Sequence, residues 1–187
     1  MIGLTNDRLT FLFKFIQSPT HIGSITPSSS FLAKKMFEQI SWDTMDAIVE
    51  LGAGTGVFTR YIHQQKKEST KAIIIEKDAQ MRKELQASFP SCYFSSDAEK
   101  LDSLLQKLNI PQVDCIISGL PFANFSPELR IEIMNAVMDC LKPGGLFIAF
   151  QYSLQMKTML KQYFKKMDIA FELFNFPPAF IYTCEKQ

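Results

Sequence analysis

The sequence predicts an α/β fold: a seven-stranded, mostly parallel sheet with helices on both faces and an antiparallel hairpin at its C-terminal end. Two observations predict it. Short, continuous apolar runs, the mark of strands buried on both faces, alternate with longer segments whose apolar residues recur at helical spacing. The first such run leads into Gly52-Ala53-Gly54-Thr55-Gly56 and then into a helical pattern. Glycines where a strand turns into a helix let the backbone approach a ligand closely, and the helix N-terminus aims unpaired N–H groups at the same spot. The 187 residues, 47% of them hydrophobic, suit one domain with one core.

Residues 5–17 read as a helix, with Leu9, Leu12, Phe13 and Ile16 at helical spacing and Phe11 and Phe15 widening the face. That face suits core packing or a lid over the substrate. A membrane-surface helix is the other reading, although Arg8 and Lys14 supply little charge for it. The prolines, glycine and hydroxyls of residues 18–30 make a loop, expected to cover a ligand through residues such as Thr26 and Ser28. Ser28 to Ser30 are placed to cap a helix beginning near Phe31. Residues 1–40 thus form a helical and loop cover, and 45–187 the sheet core.

Ala47-Ile48-Val49 is the first strand, and Val57, Phe58, Tyr61 and Ile62 give the helix after the glycines. Lys71 to Ile75 form the second strand, ending at Glu76, and a helix spans about 78–88. Cys92 to Phe94 make a short third strand, followed by Ser95-Ser96-Asp97-Ala98. Asp97 is also a natural N-cap for the helix carrying Leu101, Leu104, Leu105 and Leu108. Val113 to Ile117 are the fourth strand, running into Ser118-Gly119-Leu120-Pro121-Phe122. A long helix with Ile131, Met134, Val137, Met138 and Leu141 follows and stops at Lys142-Pro143-Gly144-Gly145. Leu146 to Tyr152 are the fifth strand. A last helix covers about 154–165, and two strands, about 169–174 and 179–184, flank Asn175-Phe176-Pro177-Pro178.

Composition narrows the class. Net charge is +1, which gives no general attraction to nucleic acid. Cys92, Cys115, Cys140 and Cys184 form no C-x-x-C pair, so reduced buried thiols are expected and a metal site is not. No secretory signal and no run of about 18 apolar residues is present, so the expectation is a cytoplasmic protein, able to sit peripherally on the inner face of a membrane.

The loop is a poor dinucleotide fingerprint, because its third small residue would fall on Val57. The pattern Glu50-x-Gly52-x-Gly54-x-Gly56 instead resembles motif I of class I S-adenosylmethionine-dependent methyltransferases, whose fold is Rossmann-like. Lys142-Pro143-Gly144-Gly145 and the closing hairpin resemble the second half of that family, so the resemblance covers nearly the whole chain. It implies S-adenosyl-L-methionine as cofactor, with Glu50 near its methionine end and Gly52, Gly54 and Gly56 packed beneath it. Glu76, at the end of the second strand, would hold the ribose hydroxyls, the alternative being a surface acid paired with Lys77. Asp97 would take the adenine amino group and the Ala98 N–H the ring. No metal is implied.

Two narrower resemblances compete for the acceptor. Ser24-Ile25-Thr26-Pro27-Ser28-Ser29, Ser118-Gly119-Leu120-Pro121-Phe122 and Asn175-Phe176-Pro177-Pro178-Ala179 look like the small bacterial phospholipid N-methyltransferases, which methylate phosphatidylethanolamine. The layout also resembles the related rRNA adenine dimethylases. Those carry Asn-x-Pro-Tyr/Phe after the fourth strand, where this chain has Gly119, and they add a helical RNA-binding domain, whereas this sequence stops at Gln187. The expectation is therefore methylation of an ethanolamine phospholipid, with rRNA adenine as the alternative and a non-catalytic S-adenosylmethionine-binding protein as a third reading. Gly119, Leu120, Pro121, Phe122 and Tyr152 are the expected acceptor-side residues, and Ser118 joins the cofactor set. No residue presents itself as a dedicated base, and neither the number of methyl groups transferred nor the oligomeric state is legible.

Overall fold

Alternation of side chains across buried strands divides the apolar residues into two cores, one on each face of a single sheet. The computed structural model describes residues 27–175 and 177–187. Within them the helices are α1 (Pro27–Phe37), α2 (Val57–Gln65), α3 (Ala79–Ser88), α4 (Leu101–Lys107), α5 (Pro127–Cys140) and α6 (Lys157–Tyr163). The strands are β1 (Ala47–Leu51), β2 (Lys71–Ile75), β3 (Tyr93–Ser95), β4 (Val113–Ser118), β5 (Leu141–Gln151), β6 (Lys166–Glu172) and β7 (Ala179–Glu185). They form one seven-stranded sheet in the order β3-β2-β1-β4-β5-β7-β6. Strands β1 to β5 are parallel, and β7 runs antiparallel to both β5 and β6.

On β1, Ala47, Val49 and Leu51 face the core closed by α4, α5 and α6, whereas Ile48 faces the core closed by α1, α2 and α3. Glu50 shares the parity of Ile48, so the sheet itself drives this carboxylate under α2. The sequence-predicted cover divides differently. Residues 1–26 lie outside the described ones, and with them the 5–17 helix and Thr26. Helix α1 begins at Pro27, so Ser28 to Ser30 form its first turn instead of capping it, and a proline is well tolerated there because its missing N–H would be unpaired anyway. Leu32, Ala33, Met36, Phe37 and Ile40 are buried, which makes the end of the expected cover part of the core.

Three further boundaries differ from expectation. Ile131, expected on the buried face of α5, is exposed, and Leu141 already belongs to β5. The Lys142-Pro143-Gly144-Gly145 turn is folded into that strand, with a register shift between Val113 and Cys115 and Gly144 at φ +77°. The last helix is a 3-10 turn at Leu154–Met156 followed by α6, and β6 starts at Lys166. As an edge strand, β6 alternates exposed Lys166 and Asp168 with half-buried Met167 and Ile169, and its polar start reads as a helix tail.

One polar cluster fixes the non-functional end of the sheet. Asp114 Oδ2 accepts the N–H groups of Asp46 (2.8 Å) and Ala47 (2.9 Å), and its Oδ1 takes Lys142 Nζ at 2.7 Å. Partial burial pushes the Asp114 carboxyl up, but these donors outweigh it and hold the group below its ordinary value of 3.8. Asp114→Ala is expected to cost about 1–2 kcal/mol of stability in thermal melts at pH 7. The contribution is present above the ordinary aspartate value and lost as pH falls through the lowered folded one, so wild type and variant should converge in acid.

Candidate functional site

In an open parallel sheet, ligands bind beyond the carboxyl ends of the strands, where the strand order reverses. Here the reversal lies between β1 and β4. The loops leaving these strands are locked together: the Gly119 N–H donates to Leu51 O (2.9 Å), and a Cβ at Gly119 would lie 3.0 Å from Gly52 O. In return, a Cβ at Gly52, whose φ is +78°, would meet Leu120 Cδ2 at 2.9 Å. Gly119 thus has a packing reason to lack a side chain.

The three glycines of the β1 loop have different duties. Gly56, the left-handed N-cap of α2, packs on α3: its Cβ would stand 2.4 Å from Leu85 Cδ2. A Cβ at Gly54, whose φ is +54°, would meet nothing within 4 Å among the described residues. Among them, the open space above the loop therefore begins at Gly54. Its N–H is held by Glu76 Oε2 (2.6 Å), while Glu76 Oε1 accepts the Asp78 N–H (2.8 Å). Glu76 is buried, with both oxygens accepting backbone N–H groups.

Glu50 is completely buried between Ile74 of β2 and Ile117 of β4. Its Oε2 accepts the Thr59 hydroxyl of α2 at 2.6 Å, and its Oε1 has no hydrogen-bond partner among the described residues. Burial is the main reason its carboxyl is raised from 4.5 to about 8; the Thr59 bond opposes the rise and the Glu76 charge adds to it. Asp97 follows β3, at the same edge, and makes no capping bond. Its Oδ2 accepts the Ser96 hydroxyl (2.9 Å) and lies 3.8 Å from Lys100 Nζ, and Ala98 behind it is buried.

On the β4–β5 side, Ser118 is buried and its Oγ accepts the Leu120 N–H at 3.3 Å. Gln151 Nε2 donates to Leu120 O (2.9 Å), so both backbone polar groups of Leu120 are held. Phe122 is fully buried and edge-on to Phe125 (centroids 5.9 Å), so it braces the Leu120-Pro121 turn from below. Phe150 lies 3.6 Å from the Cβ position of Gly119 and packs edge-on against Tyr152. Tyr152 is half-buried, and the buried Asn175 side chain hydrogen-bonds its hydroxyl. Burial pushes that hydroxyl up to about 12, so it is neutral at pH 7 and unsuited to act as a base.

The structure thus gathers Glu50, Gly54, Glu76 and Asp97 along one edge, with Ser118 to Phe122 and Tyr152 beside them. Of the two expected cover residues, Ser28 stands in the first turn of α1 and Thr26 lies outside the described residues. Thr59, Phe150 and Gln151 were not anticipated. A glutamine inside the apolar run of β5 was the available signal for Gln151; Thr59 resembles any helical threonine in sequence. The four cysteines are buried and free, and among the described residues no cluster of His, Cys, Asp or Glu is arranged to hold a metal ion.

The family of methyltransferase domains matches residues 48–145, more than half the chain, including the loops after β1, β2, β3 and β4. The chain belongs to the S-adenosylmethionine-dependent methyltransferases. It is 31% identical to the ornithine lipid N-methyltransferase of Singulisphaera acidiphila over 95% of both chains. It is 28% identical to a ribosomal RNA small subunit methyltransferase of Arabidopsis thaliana over 51% of this chain and 26% of the relative. The 16S rRNA N2 G1207 methyltransferase of T. thermophilus, solved with AdoMet and guanosine, shares the fold with a TM-score of 0.67 at 18% identity; the match covers 90% of this chain and 45% of that one. This methyltransferase therefore uses S-adenosylmethionine as cofactor, on a Rossmann-like sheet.

Glu50 gives the methyltransferase a measurable signature without its cofactor. Unfolded, it loses its proton near 4.5; folded, it keeps it until about 8. Across that window the unfolded chain binds fewer protons, so this residue makes folding less favourable as pH rises. The melting temperature of Glu50→Gln should depend less steeply on pH than that of wild type between about pH 5 and 8.

Proposed function

We propose that this methyltransferase transfers a methyl group to the primary amine of a membrane lipid. One observation carries this reading: the edge that holds the glycine loop also carries an exposed apolar tip. Because Phe180 of β7 pairs with Gln151 of β5, the turn between β6 and β7 lies at the functional edge. Leu173 and Phe174 on that turn are 65% and 74% exposed, and Phe174 lies 5.8 Å from the exposed ring of Phe31 on α1. Lys34 and Lys35 follow Phe31 on the same exposed face of the helix. An apolar tip beside lysines suits the surface of an anionic bilayer. The relative that acts on ornithine lipid supports the same acceptor class. Among the described residues no helix is long and apolar enough to cross a membrane, so the contact proposed is peripheral.

In this reading the open space at Gly54 receives the cofactor, the unpartnered oxygen of Glu50 its ammonium, Glu76 its ribose hydroxyls and Asp97 with the Ala98 N–H its adenine. The cradle fits: its one buried unsatisfied acid oxygen matches the cofactor's cationic group, and its open glycine the cofactor's bulk. Bound S-adenosylmethionine supplies an electrophilic methyl group. The protein supplies alignment, with Leu120 and Pro121 held rigidly by Ser118 and Gln151, and Phe150 and Tyr152 walling the acceptor side. Ethanolamine phospholipid and ornithine lipid share the required amine.

Gly54→Val should fold, because nothing crowds the position, at a cost of about 1–2 kcal/mol for the left-handed backbone. Its cofactor affinity in calorimetry should fall at least about tenfold; unchanged affinity would remove Gly54 from the cradle. For the acceptor, labelled S-adenosylmethionine is offered in parallel to vesicles containing phosphatidylethanolamine, to vesicles containing ornithine lipid, and to ribosomal RNA. Label should enter one of the lipids, and Leu173→Ser/Phe174→Ser should lose most of that transfer while binding cofactor normally. Label in RNA alone would reverse the reading.

A further inference from the structure

The carboxylate of Glu50 is held from one side only. Thr59, itself completely buried on the first turn of α2, gives its hydroxyl hydrogen to Oε2 at 2.6 Å, its backbone N–H also supports the carboxylate, and Oε1 has no partner among the described residues. A bare carboxylate oxygen fully removed from water is costly unless a cation or a proton meets it. The neighbouring strands offer Ile74 and Ile117 at the same register. The titratable groups that act on Glu50 are Glu76, whose charge opposes ionisation, and the Cys92 thiol, which feels the Glu50 charge. Neither is a cation.

We infer that Thr59 is a positioning residue for cofactor capture: it fixes Glu50 so that Oε1 points at the ligand's ammonium, and the pair makes capture release a proton from Glu50. This rests on the assignment of Glu50 to the ammonium made above. The step balances: Glu50 enters as the neutral acid, its O–H bond breaks, the proton goes to the buffer, and the carboxylate pairs with the ammonium. The high folded value of Glu50, about 8, agrees with a protonated empty site at neutral pH. Because the Thr59 hydrogen bond favours the ionised form, losing it moves the titration upward.

The test compares S-adenosylmethionine with 5′-methylthioadenosine, which keeps the nucleoside and lacks the amino acid. Calorimetry in two buffers of different ionisation heat counts the protons released. Wild type should release close to one proton per S-adenosylmethionine at pH 7 and none with methylthioadenosine, and S-adenosylmethionine affinity should fall about tenfold per pH unit below about pH 8. Thr59→Val should weaken S-adenosylmethionine about tenfold at pH 7 and shift the pH midpoint upward. Methylthioadenosine binding should stay unchanged, and Thr59→Ser should restore wild-type behaviour. A general packing role for Thr59 would weaken both ligands and leave the midpoint in place. If Thr59→Val binds neither ligand, Thr59→Ala, which only removes atoms, replaces it in the comparison. Wild-type ligand ratio and midpoint in the Thr59 variant, alongside a Glu50→Gln variant that has lost its preference for S-adenosylmethionine, overturns the inference alone. A Glu50→Gln variant with the wild-type ratio overturns the assignment of Glu50 on which it rests.

Discussion

The functional edge depends on how closely the loop after β1 approaches the loop after β4. Two glycines, one in each loop, bring the backbones together: Gly119 N–H reaches Leu51 O, and each glycine faces atoms of the opposite loop where a Cβ would stand. The same approach stacks Leu120 over Gly52 and leaves Gly54 as the opening in the floor. A side chain on either glycine would force the loops apart and move Leu120, and with it the carbonyl held by Gln151. Rigidity here matters because methyl transfer asks for alignment within a few tenths of an ångström and for little other chemistry.

Beneath that contact lies an unfavourable group. Placing Glu50 on the interior face of β1 costs stability, since its donors come from Thr59 alone and its Oε1 has no partner among the described residues. In the reading proposed above, that cost belongs to a site that recognises a cation, with the unpartnered oxygen meeting a proton or an ammonium. Glu76 is the contrasting case. It is also buried, but both its oxygens are engaged by backbone N–H groups, so it serves first as scaffold for the loop and has lone pairs left for a ligand.

The fold was legible because its signals were redundant. Ile73, Ile74 and Ile75 in one run, or Val113 through Ile117, have no plausible place outside a doubly covered strand, and the glycine pattern fixed which strand came first. The boundaries that moved are those where local and tertiary preferences disagree: Lys142-Pro143-Gly144-Gly145 looks like a stop and is absorbed as an irregular strand start, and the polar edge strand β6 looks like a helix end. In the site, acids at strand ends could be read directly, because strand and position determine where they point. What each glycine faces could not, because Gly56 against Leu85 and Gly54 against open space are facts of tertiary contact. Thr59 and Gln151 escaped for the same reason, as their partners lie on other elements.

The chemistry of the acceptor side bears on which amine it suits. An adenine amine is uncharged and planar, so selecting it requires acceptor groups that orient its N–H bonds; Gly119 contributes no side chain, and the carbonyl of Leu120 already receives Gln151. A primary alkyl amine presents the opposite difficulty, being mostly protonated at neutral pH. With a pKa near that of lysine, only about one in 2,500 is unprotonated at pH 7, a handicap of about 4.6 kcal/mol. Tyr152 cannot remove that proton, since its own hydroxyl is held at about 12. An apolar entrance can shift the balance another way: taking an ammonium out of water disfavours its charged form. Under the lipid-amine reading proposed above, an apolar surface at this edge would serve both access to the lipid and loss of its proton.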